Sequence, residues 1–216
     1  MTFTSIDKFK FTATFLDDAT SFGIMYLLKS KDQQFEAFKS YKAWAERQLN
    51  TTLKCIQSDR GTEFLNAKQK EYLAENGIEH QTSMPYSQQQ NGRAERFQQT
   101  IVNKANSMRL SAGLSDGFWS YATLAAVHVY NRTPIIQVDY LTPYELWHPG
   151  QKPDVSHIRI FGCLAYVHIL KEKRSNLQAK AKPLIFVGYE PGSKGYKFWD
   201  TNSGIPLPIK LKFPVM

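Results

Sequence analysis

Two carboxylates carry the clearest chemical signal in this sequence. Asp59 leaves the end of a short apolar segment into a turn at Gly61, and Glu95 lies in the first turn of a predicted helix, with 35 residues between them. A strand-end aspartate and a helical glutamate can converge on a divalent cation at a sheet edge, and their oxygen ligands suit Mg²⁺. With further ligands, paired metals would orient an attacking oxygen and stabilise the leaving oxygen of a phosphoryl transfer.

The loop that precedes Glu95 supports this interpretation. Residues 83–92 contain Pro85, three consecutive glutamines and Asn91, so the loop is polar and rich in amide side chains. Such a loop would cover the predicted site and contact a phosphate backbone. A structural role for each carboxylate stays open, because aspartate before Arg-Gly is common in turns and the helix dipole favours glutamate in a first turn.

The elements that would position these carboxylates follow an α/β pattern. Alternating apolar residues predict strands, and apolar residues at helical spacing after a capping box at Ser30 predict a helix. The order strand, strand, helix, strand, helix, strand indicates an α/β fold with a mixed sheet. The predicted elements are strands at 9–15 and 24–28, a helix from 30 to about 50, a strand at 53–56, a helix over 66–75 and a strand at 78–82.

Three more helices are predicted before the pattern changes. The first begins near Arg93, the second begins after Ser115, and the third begins at Thr142 with a capping box and a proline in its first turn. Beyond a linker, strands are predicted at 158–169, 184–189, 196–199 and 205–213, as in a small β-barrel. The first of the three helices begins near Arg93 and carries an apolar stripe of Ala94, Phe97, Ile101, Ala105 and Met108.

Charge separates the two parts of the chain. The 216 residues carry a net charge of +8, with 16 Lys and Arg against 15 Asp and Glu in residues 1–150 and 11 against 4 in residues 151–216. A basic C-terminal part suggests a polyanionic partner. The two cysteines are far apart in sequence and have no neighbouring ligand pattern, which argues against a disulfide framework or a cysteine zinc site. No apolar run approaches the length of a membrane span, so no membrane partner is expected.

A cluster of basic residues lies within the C-terminal part. Such a cluster would contact phosphates without reading sequence, whereas the alternative is that the lysines only make a small barrel soluble. The residues are Lys171, Lys173, Arg174, Lys180 and Lys182.

Several motifs together resemble the integrase of copia-type LTR retrotransposon Pol polyproteins. Residues 58–64 (SDRGTEF) and 85–96 (PYSQQQNGRAER) resemble the second and third acidic motifs of that integrase core. The resemblance continues in the right order over nearly the whole chain, through 131–134 (NRTP), 142–147 (TPYELW), 159–163 (RIFGC), 185–189 (IFVGY) and 194–200 (KGYKFWD). The last two of these are similar to the family's Src-homology-3-like barrel.

The resemblance implies an RNase H-like fold and a triad of two aspartates and a glutamate that binds Mg²⁺ or Mn²⁺. Asp59 and Glu95 would be its second and third members, serving as catalytic residues and metal ligands. Gln90, Asn91 and Arg93 would contact DNA, with Arg96 as a further contact.

The N-terminal stretch departs from the family pattern. There the first catalytic aspartate lies on a central first strand and is followed by Gly-Pro, whereas Asp7 precedes a strand and no Gly-Pro follows it. Asp17 and Asp18 match an acidic pair that we interpret as structural or as supporting the metal ligands. We therefore expect a truncated integrase that lacks its first strand and is inactive alone, with one buried sheet edge exposed. At the other end, Pro206 and Pro208 stand where a barrel-closing strand would be expected.

These observations predict an RNase H-like core over residues 1–148, a linker over 149–156 and an incomplete barrel over 157–216. The parent activity would be metal-dependent DNA strand transfer in the nucleus, with DNA as partner and no small-molecule substrate. A homo-oligomer formed through the helix of Phe118 and Trp119 stays open. The alternatives are a non-catalytic nucleic-acid-binding module and a decayed reading frame that does not fold stably.

Overall fold

The computed structural model describes residues 4–58, 67–82, 92–175, 177–190 and 195–209. The α/β class predicted from the sequence is confirmed. The helices are α1 (Gln34–Leu49), α2 (Ala67–Glu75), α3 (Gly92–Ser111), α4 (Trp119–Tyr130) and α5 (Pro143–Trp147). The strands are β1 (Phe11–Leu16), β2 (Gly23–Leu28), β3 (Cys55–Ser58), β4 (Glu79–Thr82), β5 (Leu164–His168), β6 (Ala181–Tyr189), β7 (Tyr196–Asp200) and β8 (Ile205–Ile209).

The first four strands form two separate pairs. β1 and β2 are antiparallel, and β3 and β4 are parallel, so both strand orientations occur before α3. The acidic turn between β1 and β2 is held by Asp17, whose carboxylate accepts hydrogen bonds from the backbone N and the hydroxyl of Thr20 at 2.8 and 2.6 Å. This contact gives Asp17 the structural role predicted for it.

Helix α1 covers both strand pairs. Phe38 of α1 is buried with Leu73 of α2 and Ile78, and this cluster includes Phe15 of β1 and Ile56 of β3. Phe15 also stacks on Tyr41 of α1, with ring centroids 4.6 Å apart. The apolar face of one helix therefore holds the two strand pairs together.

A second and larger core joins α3, α4 and the C-terminal sheet. Ile101 of α3, Ala122 of α4 and Val187 of β6 are completely buried in it. The alanines of α4 leave room for β6 to approach closely. Ala94, which we placed on the apolar stripe of α3, is exposed instead, because the helix begins at Gly92 and its first turn extends beyond this core.

The C-terminal sheet is antiparallel in the order β5, β6, β7, β8. Its first strand is shorter than the predicted 158–169, because Gly162 adopts a positive φ of 81° and turns the chain just before Leu164. A Cβ at Gly162 would lie 2.2 Å from the Cβ of Ala112, so only glycine allows this approach to the end of α3.

The strand predicted at 205–213 forms over 205–209, although Pro206 and Pro208 lie within it. Residues 205–209 form β8 and pair with β7 over five positions. The two prolines are two residues apart, so their missing N–H groups fall on the same side of the strand. An edge strand has one side without a partner, and prolines can occupy it there.

In the described part of the chain, no helix is long and apolar enough to cross a membrane.

Candidate active site

The start of α3 places Glu95, and a close contact two residues later fixes that start. The ring of Phe97 lies against Gly23, the first residue of β2, so closely that a Cβ there would lie 2.1 Å from Cζ of Phe97. Phe97 also meets Tyr130 of α4 edge to face, with centroids 4.8 Å apart. Glycine at position 23 is therefore required for α3 to pack against the hairpin.

Asn131 holds the same glycine from the other side. Its Oδ1 accepts from the backbone N of Gly23 at 3.0 Å, and its Nδ2 donates to the carbonyl of Gly23 at 2.8 Å. Both bonds are buried. The amide side chain thus satisfies both backbone groups of Gly23 on the side of β2 away from β1, where no described strand pairs with it. This contact gives the NRTP motif a structural role.

Glu95 itself is exposed on the first turn of α3, and no ion pair joins it to another described residue. Its neighbour Arg93 is engaged: the guanidinium donates to Oδ1 of Asp18 at 2.7 Å and to the hydroxyl of Ser21 at 2.8 Å. Asp18 therefore has the structural role predicted for it. The predicted DNA contact of Arg93 remains a prediction, and the ion pair would compete with it.

The other predicted ligand, Asp59, lies outside the described residues. The structure places the residue before it: Ser58 ends β3 opposite Thr82 of the parallel strand β4. The hydroxyl of Ser58 is 2.8 Å from Nε2 of His80. Because the carboxyl ends of parallel strands lie at the same edge, β3 and β4 both lead into the segments that contain the two predicted acidic motifs.

The residues described so far do not assemble a metal cluster by themselves. Outside the gaps at 59–66 and 83–91, no group of three or more His, Cys, Asp or Glu side chains could hold a metal. Glu95 fits a hard divalent cation, since its carboxylate is exposed and no described cation occupies it. The pairing of Asp59 with Glu95 stays a prediction.

The predicted nucleic-acid residues fall into three groups. Gln90 and Asn91 lie outside the described residues, whereas Arg96 is exposed on α3. Lys171 and Lys180 are exposed, and Lys173 ends the 3-10 turn Lys171–Lys173. Two cations are partly engaged within the barrel. Arg174 donates to the carbonyl of Ile169 at 3.2 Å, and Lys182 pairs with Asp200, which lowers the pKa of that carboxyl to about 2.

The surface around Phe118 and Trp119, considered above for a dimer, is buried within the chain. Phe118 and Trp119 are both buried within the chain, and Phe118 meets Trp199 of β7 edge to face at 5.1 Å. The Phe118 ring therefore helps to attach the barrel to the helices. A homo-oligomer therefore needs another surface.

Sequence reasoning missed a histidine pair at the junction of α4 with the barrel. Nε2 of His128 is 2.8 Å from Nε2 of His157, and the His128 ring stacks on Tyr189 of β6 at 3.9 Å. Arg132 lies 3.3 Å from Nδ1 of His128. A guanidinium can only donate, so Nδ1 accepts and Nε2–H of His128 donates to His157. Neither ring stands at a ligand spacing in the sequence, so no pattern could have indicated the pair.

Burial sets the charge state of this pair. It lowers the pKa of His128 to about 3, and the positive charge of Arg132 and the neighbouring His157 act in the same direction. Burial and Arg132 also lower the pKa of His157. Both rings are therefore neutral at pH 7, as the hydrogen bond between them requires.

Comparison with known proteins identifies sequences that are similar to this chain. Residues 163–205 match the model of the retroviral polymerase SH3-like domain. Over 203 residues, 94% of this chain, the sequence is 38% identical to the retrovirus-related Pol polyprotein from transposon TNT 1-94 of Nicotiana tabacum. The homologues of this chain are thus retrovirus-related Pol polyproteins of copia-type transposons. It spans 15% of the length of that tobacco polyprotein.

Two solved structures are similar to this chain. A chain of the simian T-cell lymphotropic virus intasome, solved by cryoEM in complex with PP2A regulatory subunit B56 gamma, matches 92% of this chain with a TM-score of 0.52 and 15% identity. The match covers 69% of that chain. The HTLV-2 integrase catalytic core domain in complex with magnesium covers 62% of this chain, and 82% of its own chain is matched, with a TM-score of 0.48 and 20% identity. The match to the intasome chain shows a similar fold, and the match to the SH3-like domain falls mainly in the C-terminal sheet.

Proposed function

We propose that this chain is the part of a retrotransposon integrase that binds DNA and holds two of the metal ligands for DNA strand transfer. The observation that carries the proposal is the similarity to the TNT 1-94 polyprotein over 94% of the chain, which includes both acidic motifs. The residue before Asp59 ends strand β3, and Glu95 is exposed on the first turn of α3. These are the strand-end and helical positions that the sequence predicts for the two ligands.

Asp59 and Glu95 would hold Mg²⁺ or Mn²⁺. The bound metal would polarise the target phosphodiester and favour deprotonation of the attacking DNA 3′-hydroxyl. The chain's own part is to bind and orient DNA. Gln90, Asn91 and Arg96 would hold the phosphate backbone beside the two carboxylates, and the basic residues of the barrel would extend this contact. Within these 216 residues the family resemblance identifies two of the three triad carboxylates.

The metal assignment is tested with Mn²⁺ binding, followed by water-proton relaxation, and with a strand-transfer assay. Asp59→Asn and Glu95→Gln should each weaken Mn²⁺ binding and remove any strand-transfer product. Glu71→Gln, at an exposed carboxylate of α2, is the matched control and should change neither. Mn²⁺ affinity or product that survives both substitutions would overturn the assignment.

A non-catalytic nucleic-acid-binding module is the second candidate function. It is favoured by the exposed lysines Lys171 and Lys180 in a segment with a surplus of seven positive charges, 11 against 4. Replacing both by alanine should lower duplex DNA affinity and reduce the slope of log affinity against log salt by about 2, at about 0.9 per lost phosphate contact. The double alanine variant of Lys68 and Lys70, exposed on α2, is the control.

The proposed place of action is the nucleus, because chromosomal DNA would be the target. A fluorescent fusion of the chain in plant cells tests this, and exclusion from the nucleus would contradict it.

A further inference from the structure

One face of strand β5 carries large apolar side chains that are exposed. Tyr166 is 71% exposed and Leu164 is 59% exposed. Residues two apart on a strand share a face, and so do register partners on neighbouring strands. Tyr166 is paired with the exposed Pro183 of β6, so Leu164, Tyr166 and Pro183 form one surface, here called the Tyr166 face.

Beside the Tyr166 face, towards β7, the same side of the sheet packs against the helices. Leu164 is paired with Ile185, and Ile185 with Trp199, and both of these residues pack against the core formed by α3 and α4. The Tyr166 face is therefore what remains open after the barrel has docked on the helices. An exposed tyrosine in the middle of a strand offers an aromatic surface for stacking.

The exposed lysines flank the same end of β5. The backbone N of Ile169 donates to the carbonyl of Lys180 at 2.8 Å, so Lys180 lies across from the residue that follows β5, at the rim of the sheet and on the opposite side of the strand from Tyr166. Lys171 comes two residues after Ile169. Tyr166 lies three residues before Ile169, about 10 Å along a strand. Of the acidic residues nearby, Asp200 is paired with Lys182, which leaves Glu172 as the exposed carboxylate of this loop.

We infer that the Tyr166 face binds unpaired bases of a single-stranded nucleic acid, with Tyr166 stacking on a base while Lys171 and Lys180, at the rim beyond the end of β5, hold phosphates further along the same strand. This inference rests on the proposed nucleic-acid function and adds the form of nucleic acid that the barrel takes. An aromatic side chain for stacking, combined with basic side chains along the path of the backbone, is the combination that binds single strands without reading sequence. Duplex DNA would use only the lysines, because its bases are already stacked.

Charge favours a nucleic acid over a second copy of the chain on this face. Residues 151–216 hold 11 Lys and Arg against 4 Asp and Glu, so two barrels would repel each other when they approach. A polyanion gains from the same charge.

The test measures binding of the full chain to three labelled probes: an oligothymidine of about 12 nucleotides, a strand of equal length without bases, and the corresponding duplex. Tyr166→Thr keeps a residue that favours strands and removes the ring. It should weaken oligothymidine binding by about fivefold to 100-fold. It should leave binding of the baseless strand and the duplex within about twofold. Tyr166→Trp should restore the affinity.

The matched control is Tyr140→Asn, at a tyrosine that is 70% exposed, because asparagine tolerates its positive φ. It should change no affinity. Equal losses for oligothymidine and the baseless strand would overturn the inference, as would a Tyr166→Thr variant that turns a dimer into a monomer in sedimentation without changing nucleic-acid affinity. If replacing Lys171 and Lys180 also changes no affinity, the proposed nucleic-acid function fails as well. If only the lysine variants weaken binding, the stacking inference alone fails.

Discussion

The core around α4 and the core under α1 differ in size and in what they hold. The α4 core unites α3, α4 and the barrel through completely buried residues such as Ile101 and Val187. The α1 core that reaches β3 has three buried residues, Phe38, Leu73 and Ile78. Glu95 is placed by the first core and the end of β3 by the second. The two predicted metal ligands therefore depend on different packing, and substitutions can separate them.

The largest effect is expected where the barrel meets the helices. Phe118→Ala removes a buried ring that contacts Trp199, and it should lower the free energy of unfolding by about 3–5 kcal/mol. Urea unfolding followed by tryptophan fluorescence measures this. Phe35→Ala, at a half-buried residue of the α1 core, is the comparison and should have a smaller effect. A loss below about 1 kcal/mol for Phe118→Ala would show that the barrel is not held by this contact.

The next largest effect on stability is expected at Asn131, whose side chain forms hydrogen bonds with both backbone groups of Gly23. Asn131→Ala leaves the N–H and the carbonyl of Gly23 buried without their partner, which should lower the free energy of unfolding by about 2–4 kcal/mol. Asn76→Ala is the control, because Asn76 makes its hydrogen bond to Tyr72 at an exposed site. Equal changes in the two variants would contradict a specific role for Asn131.

These contacts show which parts of the fold could be predicted from the sequence. Helices and strands follow from apolar spacing, and the capping box at Thr142 is present as predicted, with the Thr142 hydroxyl accepting from the backbone N of Glu145 at 3.1 Å. Local patterns of this kind involve residues three or four apart. The start of α3 and the class of the fold were therefore accessible.

Contacts between residues that are far apart in the sequence could not be predicted from it. Asn131 and Gly23 are 108 residues apart, and Arg93 and Asp18 are 75 apart. The types of these residues are compatible with many roles, so no spacing indicates that they meet. For the candidate site, the two carboxylates were found from their motifs and the family resemblance, whereas the engagement of Arg93 and Lys182 in ion pairs required the structure.

Acid should weaken the contact between α4 and the barrel, where His128 and His157 lie, more than it weakens the α1 core. Burial lowers the pKa of His128 to about 3, so its neutral form stabilises the fold fully above the unfolded pKa of about 6.5, and this contribution is lost as the pH falls towards 3. Between pH 7.5 and 5 the loss should be about 1–2 kcal/mol. The charged and titratable groups that face the pair are Arg132, Tyr144, Asp154, Arg159 and Tyr189.

Urea unfolding at the two pH values tests this. His128→Phe keeps a ring against Tyr189 but cannot be protonated, so its unfolding free energy should fall less between pH 7.5 and 5 than that of the unaltered chain. His168→Gln, at an exposed histidine, should keep the full pH dependence. The same pH dependence in His128→Phe as in the unaltered chain would show that other groups cause it.

The smallest effect is expected at the first turn of α3. Asp18→Asn removes the ion pair with Arg93, but Asp18 is 89% exposed, so stability should fall by less than about 1 kcal/mol. The difference in unfolding free energy between this variant and the unaltered chain should vanish in 1 M salt, where the Debye length is about 3 Å. Phe97 and Asn131, which lie deeper, would then be what places Glu95. A salt-independent loss above about 2 kcal/mol would instead mean that the hairpin turn holds the start of α3.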